Sequence, residues 1–438
     1  MNNWEDIVVK INSSVENNDF NHPLNEYSTS DISGTGFFIE KNLILTCYHV
    51  IEGALRITIK FKNIDNIQCE IKHIFPDDDL AVIKIIDDTI LFEHQPKILE
   101  FEIIKDKKQI SNESLVYAVG FPLGSKSIKT TKGSISGFQD SLIQTDAALN
   151  SGNSGGPLII LNSNNNYKII GINVSKQIGD AEKTGYAIPI YRFKSIWSDT
   201  YCDIIIRRPL LLFDYQAIIQ KEFKENIFKD TKTKINGVKI TLINQSYYLN
   251  KYIPKNTILV KINNEDIEDN GYIKIENYPE KIPIHDIGLW FKDQDEITLS
   301  LYNNGKIIEH TFKLQIIKTN LLYYYNLPNI PKYYINKNGL VLSIITNQHF
   351  KKLKELEISL SNIIKIFSRF SNQMDLFTVY LCDINYKTIL KTFNKYPKNE
   401  IIIKINDIEF HNYEEFMKLT QYNIKKITTI DNEDFFVE

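Results

Sequence analysis

The stretch Gln144-Thr145-Asp146-Ala147-Ala148-Leu149-Asn150-Ser151-Gly152-Asn153-Ser154-Gly155-Gly156-Pro157-Leu158 decides how this chain is read. Its second half sets a serine among glycines in a tight turn, where backbone can come close to a bound substrate. In such a turn the N–H groups of Gly152 and Ser154 can converge on one point and stabilise a developing oxyanion. On its own a glycine-rich turn also reads as a plain connection between strands. A serine hydroxyl near neutral pH needs a base, and the base needs an orienting carboxylate.

Two upstream stretches offer those partners. His49 ends the apolar run Leu43-Ile44-Leu45-Thr46-Cys47-Tyr48-His49-Val50, which follows the turn Gly34-Thr35-Gly36. Asp79 ends the acidic turn Asp77-Asp78-Asp79 and enters Leu80-Ala81-Val82-Ile83-Lys84. The order His, Asp, Ser, with gaps of 30 and 75 residues, puts His49 and Asp79 on one half of a β-domain and Ser154 on the other. A site between two barrels is expected. Asp77 and Asp78 read as a solvated acidic turn, and the seven other histidines as surface or satisfied polar positions.

From Gly34 to Ile190 about ten short apolar runs alternate with turn residues, with hardly a helical period, which argues for an all-β sandwich or barrel pair. Residues 191–208 read as a short helix and a linker. Beyond them Ile258-Leu259-Val260-Lys261-Ile262-Asn263-Asn264 recurs 143 residues later as Ile401-Ile402-Ile403-Lys404-Ile405-Asn406-Asp407. With 73 isoleucines and 44 asparagines in the chain, Ile-rich runs are weak strand evidence. The surroundings match too: a Gly-led strand precedes each copy (237–243 and 339–345) and a candidate helix follows (284–291 and 413–419). Two related α+β modules are expected.

Residues 30–195 resemble the trypsin-like protease domain of the HtrA/Deg family. Thr46-Cys47-Tyr48-His49-Val50, Asp79-Leu80-Ala81-Val82, the stretch 144–158 and Gly185-Tyr186-Ala187-Ile188-Pro189 match that family's motifs in order. Residues 209–316 and 330–438 resemble the PDZ modules of the eukaryotic, plant-type Deg proteases. The resemblance implies a mainly β chain: a trypsin-like double β-barrel followed by two PDZ-like α+β modules. The division expected is 1–29 as an N-terminal leader, 30–200 as the protease, 205–316 as the first PDZ-like domain and 325–438 as a degenerate second.

The resemblance further implies Ser154 as nucleophile, His49 as general base and acid, Asp79 as the carboxylate fixing the imidazole tautomer, and Gly152 and Ser154 N–H groups as the oxyanion hole. Asn153 stands where digestive relatives carry an aspartate that pairs with a new N-terminus. Conformational activation through loops 122–131, 147–152 and 175–184 is therefore expected. Counting from Ser154, Ala148 is a candidate floor for the pocket before the cut bond, implying cleavage after small or medium aliphatic residues; the other reading packs Ala148 in the core. The loop Pro209-Leu210-Leu211-Leu212-Phe213-Asp214 lacks the glycine of a carboxylate-binding loop, so a PDZ-like groove filled by the chain itself or used in assembly is an alternative to peptide capture.

Fifty-one basic against 54 acidic residues in 438 leave a net charge of −3, which argues against nucleic acid as the main partner. No apolar run approaches the roughly 20 residues of a membrane-spanning helix, and the first 20 residues lack the features of a secretory signal. Cys47, Cys69, Cys202 and Cys382 are scattered and read as reduced thiols, with no metal site and no cofactor expected. The expectation is an intracellular, cytoplasmic serine endopeptidase, independent of ATP and metal. It would act on unfolded or damaged polypeptides as a homotrimer or a multiple of one. The alternatives are a PDZ-based binding or chaperone protein whose protease domain is rarely active, and a processing protease with a few native substrates.

Overall fold

The computed structural model describes residues 4–17, 28–109, 114–174 and 184–316, with 163, 199, 210, 212, 221–223, 225–234, 244–247, 255–256 and 304 left out. Beyond these it describes 333–335, 340–344, 379–384, 401–410, 413–429 and 431–436. Twelve strands close into two six-stranded barrels of the same winding. The first holds β1 (Val8–Asn17), β2 (Ser28–Glu40), β3 (Leu43–Cys47), β4 (Ala54–Phe61), β5 (Ile64–Phe75) and β6 (Leu80–Ile85) in the order β1-β2-β3-β6-β5-β4. The second holds β7 (Leu115–Gly120), β8 (Lys129–Gln139), β9 (Leu142–Thr145), β10 (Pro157–Leu161), β11 (Tyr167–Val174) and β12 (Gly185–Pro189) in the order β7-β8-β9-β12-β11-β10. The mainly β, trypsin-like fold class is as expected.

The leader expected over residues 1–29 is corrected by β1. Val8–Asn17 is a barrel strand, paired with β2 from Val8↔Phe37 to Asn17↔Ser28 and with β4 from Lys10↔Lys60 to Val15↔Ala54. Its inward positions Val9, Ile11 and Ser13 are fully buried. A serine on the inner face and the polar run that follows hide the two-residue period on which strand recognition depends. The β5 strand over Ile64–Phe75 was likewise absent from the sequence reading, because Asp65, Asn66, Gln68, Glu70 and Lys72 interrupt its apolar residues.

One core runs through both barrels. Phe37, Phe38, Phe61 and Phe75 of the first share it with Ile159, Ile169, Ile172 and Ile188 of the second, each side chain contributing about 1.5–3 kcal/mol by leaving water. Helix α1 (Tyr48–Ile51) follows β3, and α2 (Ile190–Ile196) follows β12 and buries Phe193 against the same core. The expected linker is not a loose one. Ile74 N–H donates to Ile204 carbonyl at 2.8 Å and Ile206 N–H to Ile74 carbonyl at 2.9 Å, so residues 204–206 run beside the end of β5.

The next module is a sheet of Phe213–Ala217, Val238–Ile243, Ile258–Ile262, Glu296–Asn303 and Lys306–Lys313 in that order, with a 3-10 helix, Ile284–Trp290, where a helix was expected. It rests on the β8–β9 hairpin: Ser141 Oγ donates to Asp286 at 2.7 Å and Tyr278 Oη to Leu142 carbonyl at 3.0 Å, while the Phe138 and Tyr278 rings meet edge-on. The last described strands, from Tyr333–Ile335 to Asp434–Phe436, form another sheet, with an α-helix at Tyr413–Thr420.

The internal repeat has a structural counterpart. Asn263 and Asn264 at φ 49° and 67°, and Asn406 and Asp407 at φ 50° and 67°, make the same left-handed hairpin turn. Asparagine and aspartate tolerate that conformation, which is why the repeat keeps them there. Among the described residues no helix is long and apolar enough to cross a membrane. Cys47, Cys69 and Cys202 form no disulfide, and burial pushes the Cys69 thiol up to about 12.

Candidate active site

Strand β3 is buried along its whole length, which fixes where the chain leaves the barrel. It delivers His49 at the start of α1, half-exposed at its mouth. The turn Pro76–Asp78 is a 3-10 segment ending with Asp79 in the left-handed region at φ 55°. That turn aims the Asp79 carboxylate back at α1. Asp79 Oδ2 lies 2.8 Å from His49 Nδ1, and Asp79 Oδ1 accepts the His49 backbone N–H at 3.0 Å. The Asp79 carbonyl also accepts Tyr48 N–H at 2.9 Å. One contact sets the imidazole against the carboxylate and two backbone contacts fix the start of α1 against the turn. A ring facing a carboxylate through Nδ1 carries its proton there, which leaves Nε2 as the basic nitrogen.

Ser154 comes from the other barrel, in the turn between β9 and β10, and is almost fully buried. Glycine is required on both sides of it. Gly155 has φ 84°, and a Cβ there would lie 2.2 Å from Thr46 Oγ1, 2.3 Å from the Thr35 carbonyl and 2.8 Å from Cys47 N. The serine turn therefore lies directly against the strand end that presents His49. Gly152 has φ 95°, and a Cβ there would meet the Phe121 carbonyl at 2.4 Å.

The peptide planes of this turn are pinned individually. Ser151 carbonyl accepts Leu123 N–H at 2.6 Å and Asn153 carbonyl accepts Gly156 N–H at 3.0 Å. In a trans peptide the N–H points opposite to the carbonyl, so the N–H groups of Gly152 and Ser154 are turned away from those partners.

Thr35 and Asn173, which sequence reading passed over, stitch the turn to its surroundings. Thr35 N–H donates to Ser154 carbonyl at 2.9 Å, and its hydroxyl donates to Gly152 carbonyl at 2.7 Å while accepting Phe121 N–H at 3.0 Å. Asn173 carbonyl accepts Gly155 N–H at 2.9 Å, and its side-chain amide donates to Pro157 carbonyl at 3.0 Å. A threonine between two glycines was the available signal at Thr35. Asn173 carried none, lying in an ordinary apolar strand.

Asp77 and Asp78, read as a solvated turn, are corrected by burial and pairing. Arg207 donates to Asp77 through Nε at 2.7 Å and Nη2 at 2.8 Å. Asp78, with a side chain 0 % exposed, takes Arg192 Nε at 2.8 Å and Arg208 Nε at 2.7 Å. The arginines lie 114 to 131 residues away in sequence, so nothing local betrayed the pairing.

Ala148 is exposed, so the core-packing reading of it fails; its carbonyl accepts the Thr131 hydroxyl at 2.9 Å. Of the loops expected to move, residues 175–183 lie outside the described residues, while 122–131 and 147–152 are seen in contact through Leu123 and Ser151. Asn153 is buried, its N–H donating to Asn150 carbonyl at 2.9 Å. The donor atoms of Cys47, His49 and Asp79 lie within 4.8 Å of one another, but His49 Nδ1 and Asp79 Oδ2 face each other, and Cys47 Sγ donates to the Asn173 carbonyl at 3.5 Å. That geometry suits a hydrogen-bonded pair better than a ligand set.

Residues 34–172 match the family described as trypsin-like peptidase domain. The Do-like 13 protein of Arabidopsis thaliana is 26 % identical over 367 residues, 78 % of this chain and 69 % of that protein. The serine protease Do-like HtrA of Bacillus subtilis is 34 % identical over 204 residues, but these are only 42 % of each chain. Among solved structures, the HtrA-type protease AlgW with a tripeptide is similar at a TM-score of 0.50 and 19 % identity, covering 70 % of this chain and 93 % of that one. A variant of AlgW with a decapeptide reaches 0.53 at 20 % identity with the same coverage, which speaks to fold. With the motifs and the paired barrels already described, this chain carries a trypsin-like peptidase domain, and its similarity to HtrA and Do-like serine proteases supports a serine endopeptidase.

Proposed function

We propose that Ser154, His49 and Asp79 act as one catalytic triad that hydrolyses peptide bonds of unfolded or damaged proteins, without ATP or a metal ion. The observation that carries this reading is the His49–Asp79 pair at 2.8 Å, set against a serine turn that only glycine at position 155 allows. His49 Nε2 takes the Ser154 hydroxyl proton as Oγ adds to the scissile carbonyl. Asp79 keeps the proton on Nδ1 in place and stabilises the imidazolium that forms. The oxyanion is received by the N–H groups of Gly152 and Ser154. Collapse expels the amine with the proton from His49 and leaves an acyl-enzyme, which water cleaves by the same steps in reverse order.

Ala148 as the floor of a neutral pocket, with cleavage after Val, Ala or Leu, belongs to the same reading. The module from Phe213 to Lys313 is PDZ-like in this reading, with Phe213–Ala217 as the strand beside which a substrate segment would add. Assembly as a homotrimer or a multiple of it belongs to the same reading, and light scattering of the full chain measures it.

The decisive experiment is casein hydrolysis and fluorophosphonate labelling with wild type and Ser154→Ala. Loss of the nucleophile is expected to lower turnover by at least ~10⁴-fold and to abolish labelling. Equal hydrolysis by the two chains overturns the proposal.

A further inference from the structure

The turn that aims Asp79 is held from outside its own barrel. Asp79 occupies a left-handed conformation, which an aspartate tolerates but which its own residue type does not fix, so the contacts of its neighbours help to hold it there. Both preceding residues are clamped. Asp77 takes the fork of Arg207 and the Arg208 N–H at 2.8 Å. Asp78 is shared by Arg192 of α2 and by Arg208.

Arg208 does more than neutralise Asp78. Its side chain is 0 % exposed, and each nitrogen has a partner: Nε on Asp78 Oδ2, Nη1 on the Phe291 carbonyl at 2.9 Å, and Nη2 on the Arg192 carbonyl at 2.6 Å and Ser195 Oγ at 3.1 Å. Phe291 lies immediately beyond the 3-10 helix Ile284–Trp290 of the following module. One planar, rigid cation therefore touches the turn of Asp79, helix α2 and the module after the protease. The chain leading to it is bound along β5 through Ile204 and Ile206, so the contact is not left to a loose tether.

We propose that Asp78 and Arg208 are positioning residues for the Asp79 carboxylate, with the Phe291 carbonyl holding one arm of the Arg208 guanidinium in place. The proposal rests on Asp79 acting as the orienting carboxylate of the triad. Asp78 and Asp79 share a peptide bond, so a shift of Asp78 away from Arg208 rotates the carboxylate that holds His49. A misplacement of about 1 Å at a reacting group lowers turnover by roughly 10²-fold, whereas binding of a short substrate, which does not involve this turn, is left alone. Lysine cannot replace the arginine, because an ammonium lacks the planar fork that spans these partners.

The test uses the full chain with a short fluorogenic peptide, fluorophosphonate labelling of Ser154, and a thermal melt of every variant. Arg208→Gln is expected to lower kcat on the order of 10–100-fold with KM unchanged, to slow labelling in proportion, and to be little improved by Arg208→Lys. A folded Arg208→Gln chain with wild-type kcat, or with only KM raised, overturns the proposal. If Arg208→Gln does not fold, Arg207→Gln, which breaks the more exposed clamp on Asp77, decides it: a lowered kcat at unchanged KM supports the proposal and a wild-type kcat overturns it. A readout that does not depend on activity is the low-field proton resonance of His49 Nδ1–H. Its loss in the folded variant supports the proposal and its persistence overturns it, even if the wild type proves not to hydrolyse protein.

Discussion

In the first barrel the half-site of His49 and Asp79 is held by charge: two aspartates before Asp79 are buried against Arg192, Arg207 and Arg208. In the second barrel the half-site of Ser154 is held by close backbone contact, through Gly152, Gly155, Thr35 and Asn173, and none of those residues is charged. The windings are the same, so topology does not explain the difference. A carboxylate aimed at an imidazole must be fixed in direction, and forked arginines do this over long range because they can reach from other elements. A nucleophile turn must bring N–H groups within reach of one oxygen, and only main chain without side chains can come so close.

The largest effect should come from breaking the charged side. Arg208→Gln leaves Asp78 buried with one arginine lost, and removing one partner of a buried pair typically destabilises by about 3–5 kcal/mol. A denaturant melt that moved by less than about 1 kcal/mol would mean that Arg192 alone satisfies Asp78.

Next is the contact side. Gly155→Ala must place a methyl group against Thr46 and the Thr35 carbonyl and adopt a disfavoured φ, for about 2–4 kcal/mol of destabilisation. Salt separates the two sides. The melting temperature of Gly155→Ala should shift with ionic strength as the wild type does. Arg208→Gln should differ from both, since it leaves a charge unbalanced.

The smallest effect is one of pH. Burial holds His73 below its usual value of 6.5; its Nδ1 meets the Asp203 carbonyl at 2.9 Å, and Nε2 is buried without a partner among the described residues. The unfolded chain therefore binds this proton more readily than the folded one. The stability contribution of the neutral ring is complete above about pH 6.5 and is lost as pH falls below it. Melting temperature should drop between pH 7 and 5, and His73→Phe should drop less over that interval. An equal drop in both chains assigns the acid sensitivity to other groups.

The paired barrels were legible in sequence, and the residues proposed as the triad stood out there, because each depends on local patterns: a glycine turn around Ser154, a polar residue closing an apolar strand at His49, an acidic residue opening one at Asp79. The hairpin turns of the internal repeat were legible for the same reason, since Asn263-Asn264 and Asn406-Asp407 are chosen by backbone conformation alone. Strand β1 was missed because a barrel can bury Ser13 in a core-facing place that the alternation rule reserves for apolar residues. Thr35 and Asn173 were missed because their roles are hydrogen bonds to a turn more than 100 or about 20 residues away, for which neither residue type is distinctive.

The run Asp77-Asp78-Asp79 marks the boundary most clearly. Chain pattern alone determined that one of these aspartates precedes a buried strand and suits a His–Asp–Ser order. It assigned the other two to solvent, because three successive carboxylates look alike until their directions are known. In the folded chain a 3-10 turn followed by a left-handed residue sends the three side chains different ways: Asp77 to Arg207, Asp78 to Arg192 and Arg208, Asp79 to His49. Only the tertiary structure decides this, because the cations come from a helix and a chain segment more than 100 residues downstream. Burial against those partners, which no local pattern encodes, turns an ordinary acidic turn into the mount of the site.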